Sequence, residues 1–309
     1  MARCLRNLAS KEDIVTTIRA FIKRRPVLTF YTLAFAISWG GVLMVVGGPG
    51  AIPGTAEQVE RLLPFAMLVW LAGPSVAGLL LTGLVYGGAG LRDLRARMTK
   101  WRVGARWYAV AILTAPLLYG AGLLALSLFS LEFLPGILTT SDKTALLLFG
   151  ISWGLIGGGL LEELGWTGFA VPTLRQRYGV FATALIVGVL WGAVHFSVIF
   201  WMSGSTIGGV PLALFLTVRG FDLLVGQLVG FRVLMVWVYD RTGGSLLVAM
   251  LMHATLTASM LILGPPALSG APFLTYCLTM SAATWVVVAV VAVANGRQLS
   301  RQPLRAQMA

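Results

Sequence analysis

Long apolar stretches separated by short polar ones dominate the chain, and eight of them reach the ~20 residues needed to cross a bilayer as a helix. They lie at about 27–46, 63–86, 108–131, 145–168, 180–201, 209–239, 245–264 and 272–295. This pattern predicts an all-α fold, a polytopic membrane helical bundle of about eight transmembrane helices. The sixth run is too long for one straight helix and contains Arg219, Asp222 and Arg232. It predicts either an interfacial segment followed by a span or a broken helix. Arg219 and Asp222, three residues apart, share a helical face and are expected to form a local neutralising ion pair. The first run follows a basic stretch, as a signal peptide would. Its length exceeds the ~7–15 residues of a signal core and no A-x-A site follows, so a retained span is expected.

Composition supports the same class. Hydrophobic residues make up 58% and charged residues 11%, against about 25% charge in soluble domains. A soluble fold so poor in charge has too little polar surface to cover itself. The formal charge of +12 does not point to nucleic acid, because 19 of the 23 Lys and Arg fall in alternate inter-span segments. These are residues 1–26, 87–107, the pair Arg175 and Arg177, Arg241, and the stretch after Gly296. The positive-inside rule then sets both termini in the cytosol, N-in and C-in, and the expected location is the cell membrane. The expected organisation is a basic cytosolic segment at 1–26, a transmembrane domain at 27–295 with its functional core at about 145–264, and a basic tail at 296–309. The stretch 91–107 interleaves basic residues with Leu, Met and Trp and is expected to lie on anionic membrane lipid. The two cysteines, Cys4 and Cys277, stand at opposite ends of the chain, and neither a disulfide nor a CxxC metal site is expected from them.

Ionisable groups at bilayer depth are expensive and face a partner or a cavity. Glu162, Glu163, His195 and His253 stand out, the two histidines being the only ones in the chain. Neighbouring helical residues point about 100° apart, so one glutamate can face a cavity while the other braces a helix. Two carboxylates this close are not expected to ionise independently. Gly157 to Gly159 strip side chains one turn earlier and permit close helix approach, and Pro172 predicts a bend continuing toward Arg175 and Arg177. Helical rise allows Glu162, His195 and His253 to converge near the membrane interior. A lone intramembrane histidine is commonly a helix–helix hydrogen-bonding residue, and Trp191, one turn before His195, reads as packing more than chemistry. Taken together, two acids and two histidines supply a base for water and donors for an oxyanion. They also suit a divalent metal such as zinc, for which Glu162, His195 and His253 would be the ligands, although no HExxH motif is present.

These residues carry a family likeness. EELGWTGF with Glu162 and Glu163, WGAVH ending at His195, and RVLMVWVYDRTGGSLLVAMLMHA leading to His253 resemble, in that order, the CPBP family of CAAX proteases and bacteriocin-processing (Abi) proteins. The likeness covers about Gly157 to Ser259. It implies an intramembrane endopeptidase whose polar residues line a cavity open to the cytosol. It implies Glu162 as general base, Glu163 as its support, and His195 and His253 as transition-state donors, with a peptide or lipid-anchored protein as substrate; a divalent metal such as zinc stays open, a metal-independent glutamate mechanism being the one favoured for the family's prenyl-protein members. Two positions depart from the family pattern. Thr167 stands where the EExxxR motif has Arg, removing a fixed positive charge, and Thr257 stands four residues after His253 where Asn or Asp is usual. Thr167, Thr257 and Trp191 are therefore expected in supporting roles. Two other functions compete. One is a non-catalytic membrane immunity or scaffold protein that keeps the fold, suggested by the two threonines. The other is a transporter using a glutamate as proton relay, disfavoured because no internal repeat is evident.

Overall fold

The computed structural model describes residues 16–295. The expected basic tail at 296–309, Cys4 and most of the basic N-terminal segment lie outside these residues. Within them the chain is helical throughout, and eight helical spans are long and apolar enough to cross a membrane. We number the helices α1 (Pro26–Val46), α2 (Ala56–Met98), α3 (Ala105–Ser127), α4 (Lys143–Arg175), α5 (Val180–Thr206), α6 (Leu212–Leu224), α7 (Gln227–Arg241), α8 (Leu246–Leu263) and α9 (Gly270–Ala294).

The sixth apolar run is the broken helix of the two alternatives. Val225 and Gly226 leave helical geometry, at φ −135° and at φ −80°, ψ −122°. Backbone groups freed at membrane depth need partners, because lipid offers none. Helix α9 supplies them: the Trp285 indole donates to the Val225 carbonyl at 2.8 Å, and the Ser281 hydroxyl accepts from the Gln227 amide at 3.1 Å. Beyond the break every residue of α7 from Gln227 to Tyr239 is buried. An apolar helix covered all round is the centre of a bundle, and α7 packs on α5 and α9.

Helix α2 is longer than its apolar run. A capping box at Thr55 and Gln58 starts it, and it continues through Pro64 and Pro74 before turning at Gly87, whose φ of 64° favours glycine. The basic stretch beyond Gly87 divides its faces. Leu91 and Trp101 are exposed, but Leu94 is buried against Leu246 and Met250. Arg97 turns inward, where its guanidinium donates to the Gly168 carbonyl at 2.9 Å and the Tyr239 hydroxyl at 3.0 Å. Only part of 91–107 is thus left to meet lipid, and the rest clamps α2 to α4 and α7.

Helices α1 and α2 pair along their lengths, α8 packs on α3 and α4, and α2 crosses α4. Glycine makes the α2–α4 crossing possible. A Cβ on Gly78 would lie 2.7 Å from the Gly165 Cα, and one on Gly165 would lie 2.6 Å from the Pro74 carbonyl carbon. Small residues at such crossings let two backbones touch.

Candidate active site

Helix α4 positions the acidic pair through an unusual local geometry. Gly154–Glu162 and Trp166–Ala170 form wide π turns around a short α-helical piece, Glu163–Gly165. Wide turns of this kind recur at functional sites because they re-aim individual side chains. Glycines bring this stretch onto α8. A Cβ on Gly159 would sit 2.9 Å from the Met250 carbonyl oxygen, and one on Gly158 would sit 3.1 Å from the His253 ring. Pro172 does not end the helix, which runs on to Arg175.

The two glutamates occupy different environments. Glu163 is fully buried and faces α7 and α8. Nη1 of Arg232, itself without exposure, lies 2.9 Å from its Oε1 and 3.0 Å from its Oε2. The Thr167 hydroxyl donates to Oε2, and Nδ1–H of His253 donates to Oε1 at 2.7 Å. Buried charge is tolerated when it is paired and its lone pairs are satisfied, and Glu163 meets both conditions. Glu162 is held differently. Its Oε2 accepts from the Trp166 indole at 3.1 Å and the Trp191 indole at 2.6 Å. Its Oε1 stands 3.8 Å from Nε2 of His253, too far for a direct hydrogen bond.

His195 is reached from the other side. Its Nδ1–H donates to the Trp191 carbonyl at 2.7 Å, and its ring meets those of Trp70 and Trp191 edge-on. Both imidazoles thus commit Nδ1 to an acceptor and keep Nε2 for the space between them. That space is a cavity of about 520 Å³, with Glu162, Trp191, His195, His253 and Thr257 in its wall. Glu163 and Thr167 are not in that wall. All four ionisable residues singled out in the sequence therefore meet at one place, with Glu163 set behind the other three.

Two residues matter more than the sequence suggested. Trp191, expected only in a supporting role, links the two halves of the site: its N–H holds Glu162, its carbonyl holds His195, and its ring lies 5.0 Å from that of His253 and 4.1 Å beneath the Arg232 guanidinium. Arg232 itself was not singled out. The charge that Thr167 fails to supply is not missing, because Arg232 brings a guanidinium to Glu163 from α7, 69 residues away in sequence. Its Nη1 also lies 3.4 Å from the Thr167 hydroxyl. The only sequence signal was an arginine inside an apolar run.

Glu162, His195 and His253, the candidate metal ligands, are not gathered into a three-ligand site as they stand. Among the described residues no three His, Cys, Asp or Glu side chains stand where one ion could join them. Oε2 of Glu162 is already taken by two indole donors.

Residues 143–259 match the profile of the family described as type II CAAX prenyl endopeptidase, Rce1-like. This segment is an Rce1-like domain. It runs from the start of α4 into α8 and contains Glu162, Glu163, Trp191, His195, Arg232 and His253. A stretch of 39 residues is 44% identical to CAAX prenyl protease 2 of Methanococcus maripaludis, covering 13% of this chain and 14% of that protein. The likeness to the curated relative is thus local, whereas the Rce1-like domain takes in the whole site.

Proposed function

We propose that the protein is an intramembrane endopeptidase that hydrolyses a peptide bond of a membrane-associated or lipid-anchored protein or peptide, using water activated by Glu162. The carrying observation is the division of labour within the acidic pair. Glu163 is neutralised by Arg232, while Glu162, fixed through one oxygen by two indoles, turns its other oxygen toward His253 at the cavity wall. In this reading Glu162 takes a proton from water as the water oxygen bonds to the substrate carbonyl carbon. It then passes that proton to the departing amine as the C–N bond breaks. His195 and His253 turn Nε2 toward the reacting centre, and a ring that carries a proton on that nitrogen donates to the charge that develops on the carbonyl oxygen. Glu163 and Arg232 touch no substrate and hold His253 in place. The apolar remainder of the cavity suits an apolar or lipid-bearing chain, and the distribution of basic residues supports a reading with both termini on the cytosolic side of a cell membrane.

The test compares the membrane proteomes of cells carrying the wild-type protein and Glu162→Ala. New protein termini should appear with the first and vanish with the second, at equal protein levels. Undiminished cleavage by a well-inserted Glu162→Ala protein would remove Glu162 from the role of base. A second outcome concerns Trp191→Phe, which keeps the ring and deletes the N–H donor to Glu162. A hydrogen bond to a charged group is worth about 1.5–3 kcal/mol, so kcat should fall by about ten- to a hundredfold with KM little changed. Steady-state kinetics on a cleaved peptide checks this, and a KM effect alone would point to packing instead.

A further inference from the structure

The cavity has a second polar wall that the proposed chemistry does not use. Arg219 and Asp222 of α6 line it, with Cys277 of α9 beside them. They form the expected ion pair, but the pair faces the cavity as well as its neighbours. Arg219 also donates to the Cys277 sulfur at 2.9 Å and stacks over the Phe273 ring at 5.1 Å. The Ser281 hydroxyl donates to the other Asp222 oxygen at 2.6 Å. Arg219 is 9% exposed and both of its hydrogen bonds leave from Nη1. The guanidinium is therefore held on three sides with donor capacity left over.

A buried ion pair gains little over well-packed apolar side chains, so tying α6 to α9 does not by itself account for charges set in a cavity wall. The chemistry of the wall selects its ligand. The pair is neutral overall, so a carboxylate would bring uncompensated charge into a cavity that already contains Glu162. A carboxamide adds no charge: its oxygen can accept from the Arg219 guanidinium while its NH2 donates to the neighbouring Asp222 carboxylate, whose oxygens keep lone pairs beyond the contacts from Arg219 and Ser281. We propose that Arg219 and Asp222 form a specificity subsite for an uncharged amide side chain, Asn or Gln, within an otherwise apolar substrate segment. This rests on reading the cavity as a peptide site.

The experiment uses full-length Glu162→Ala protein in nanodiscs, so that binding is read without turnover. The probes are fluorescein-labelled Leu/Ala dodecapeptides carrying a single Gln at successive positions, with a matching series carrying Glu. One Gln position should bind about tenfold tighter than its neighbours, the scale of one hydrogen bond to a charged group. The preference should vanish when Arg219→Met and Asp222→Leu are added together, a change that removes both charges and leaves neither unpaired. A flat Gln series, a preference surviving in the added variant, or tighter binding of Glu than of Gln would each overturn the subsite. Incubating the same peptides with the wild-type protein reads the peptidase proposal separately. Gln-dependent binding without cleavage would sink that proposal and leave the subsite standing.

Discussion

Arg232→Met should unfold or inactivate the protein more completely than any other single change outside the Glu162 carboxylate. The substitution keeps most of the side-chain volume but leaves the Glu163 carboxylate in a fully buried place with only the Thr167 hydroxyl and the His253 ring as donors. Breaking one partner out of a buried pair costs about 3–5 kcal/mol, a large share of the ~5–15 kcal/mol that holds a typical domain together. The expected result in detergent is a large fall in the midpoint of thermal unfolding. Adding Glu163→Gln should recover most of that stability, since no charge is then left alone. Activity should not return, because His253 would still lack the carboxylate that orients its ring. Arg232→Lys should fall between, retaining charge but losing the planar face over Trp191. Placing Thr167→Arg in the Arg232→Met background asks whether a guanidinium delivered from α4 can serve the same carboxylate. Wild-type stability in Arg232→Met alone would show that Glu163 does not depend on this partner.

Gly165→Leu is the second large effect. At this crossing the α4 backbone touches α2 with no side chain between, and even a Cβ would overlap the Pro74 peptide. Overpacking of a tight contact costs about 1–3 kcal/mol and more where backbone must move. Here the backbone on both sides must move, and α4 carries the glutamates two and three residues earlier. A loss of more than about 3 kcal/mol is expected, with the purified variant unfolding earlier on heating and losing cleavage in step. Full stability would mean that the α2–α4 contact is looser than described.

The membrane architecture was legible because a bilayer imposes a length on apolar runs. All eight spans fall where hydropathy puts them. Their ends were less legible, since α2 and α4 extend past the apolar boundary on local helix chemistry and on inward contacts such as Arg97 with Gly168. The candidate site residues were legible through rarity: two histidines and an acidic pair in apolar runs leave few alternatives. The resemblance to the CPBP family is upheld by the Rce1-like domain at 143–259. The role of Arg232 and the reach of Trp191 beyond support were not legible, because they come from partners 69 and 29 residues away in the chain. A one-dimensional pattern shows that a charge sits in a span; only the packing of α7 against α4 shows which carboxylate it answers. The split between α6 and α7 lay between the two, announced by excess length but not located by it.

The wide turns that precede the acidic pair make the spacing of α4 itself a carrier of information. Gly154 is pinned against α8, and each residue further along these wide turns rotates the helix face by a set step, smaller than that of an α-helix. Lose one glycine from Gly157–Gly159 and Glu163 arrives where Glu162 now meets the cavity, while Leu164 confronts Arg232. Gain one, and Leu161 takes the cavity position with Glu162 sent to the guanidinium. Over these few positions a lineage can exchange letters far more freely than it can add or delete them, because which carboxylate faces the cavity is decided by counting.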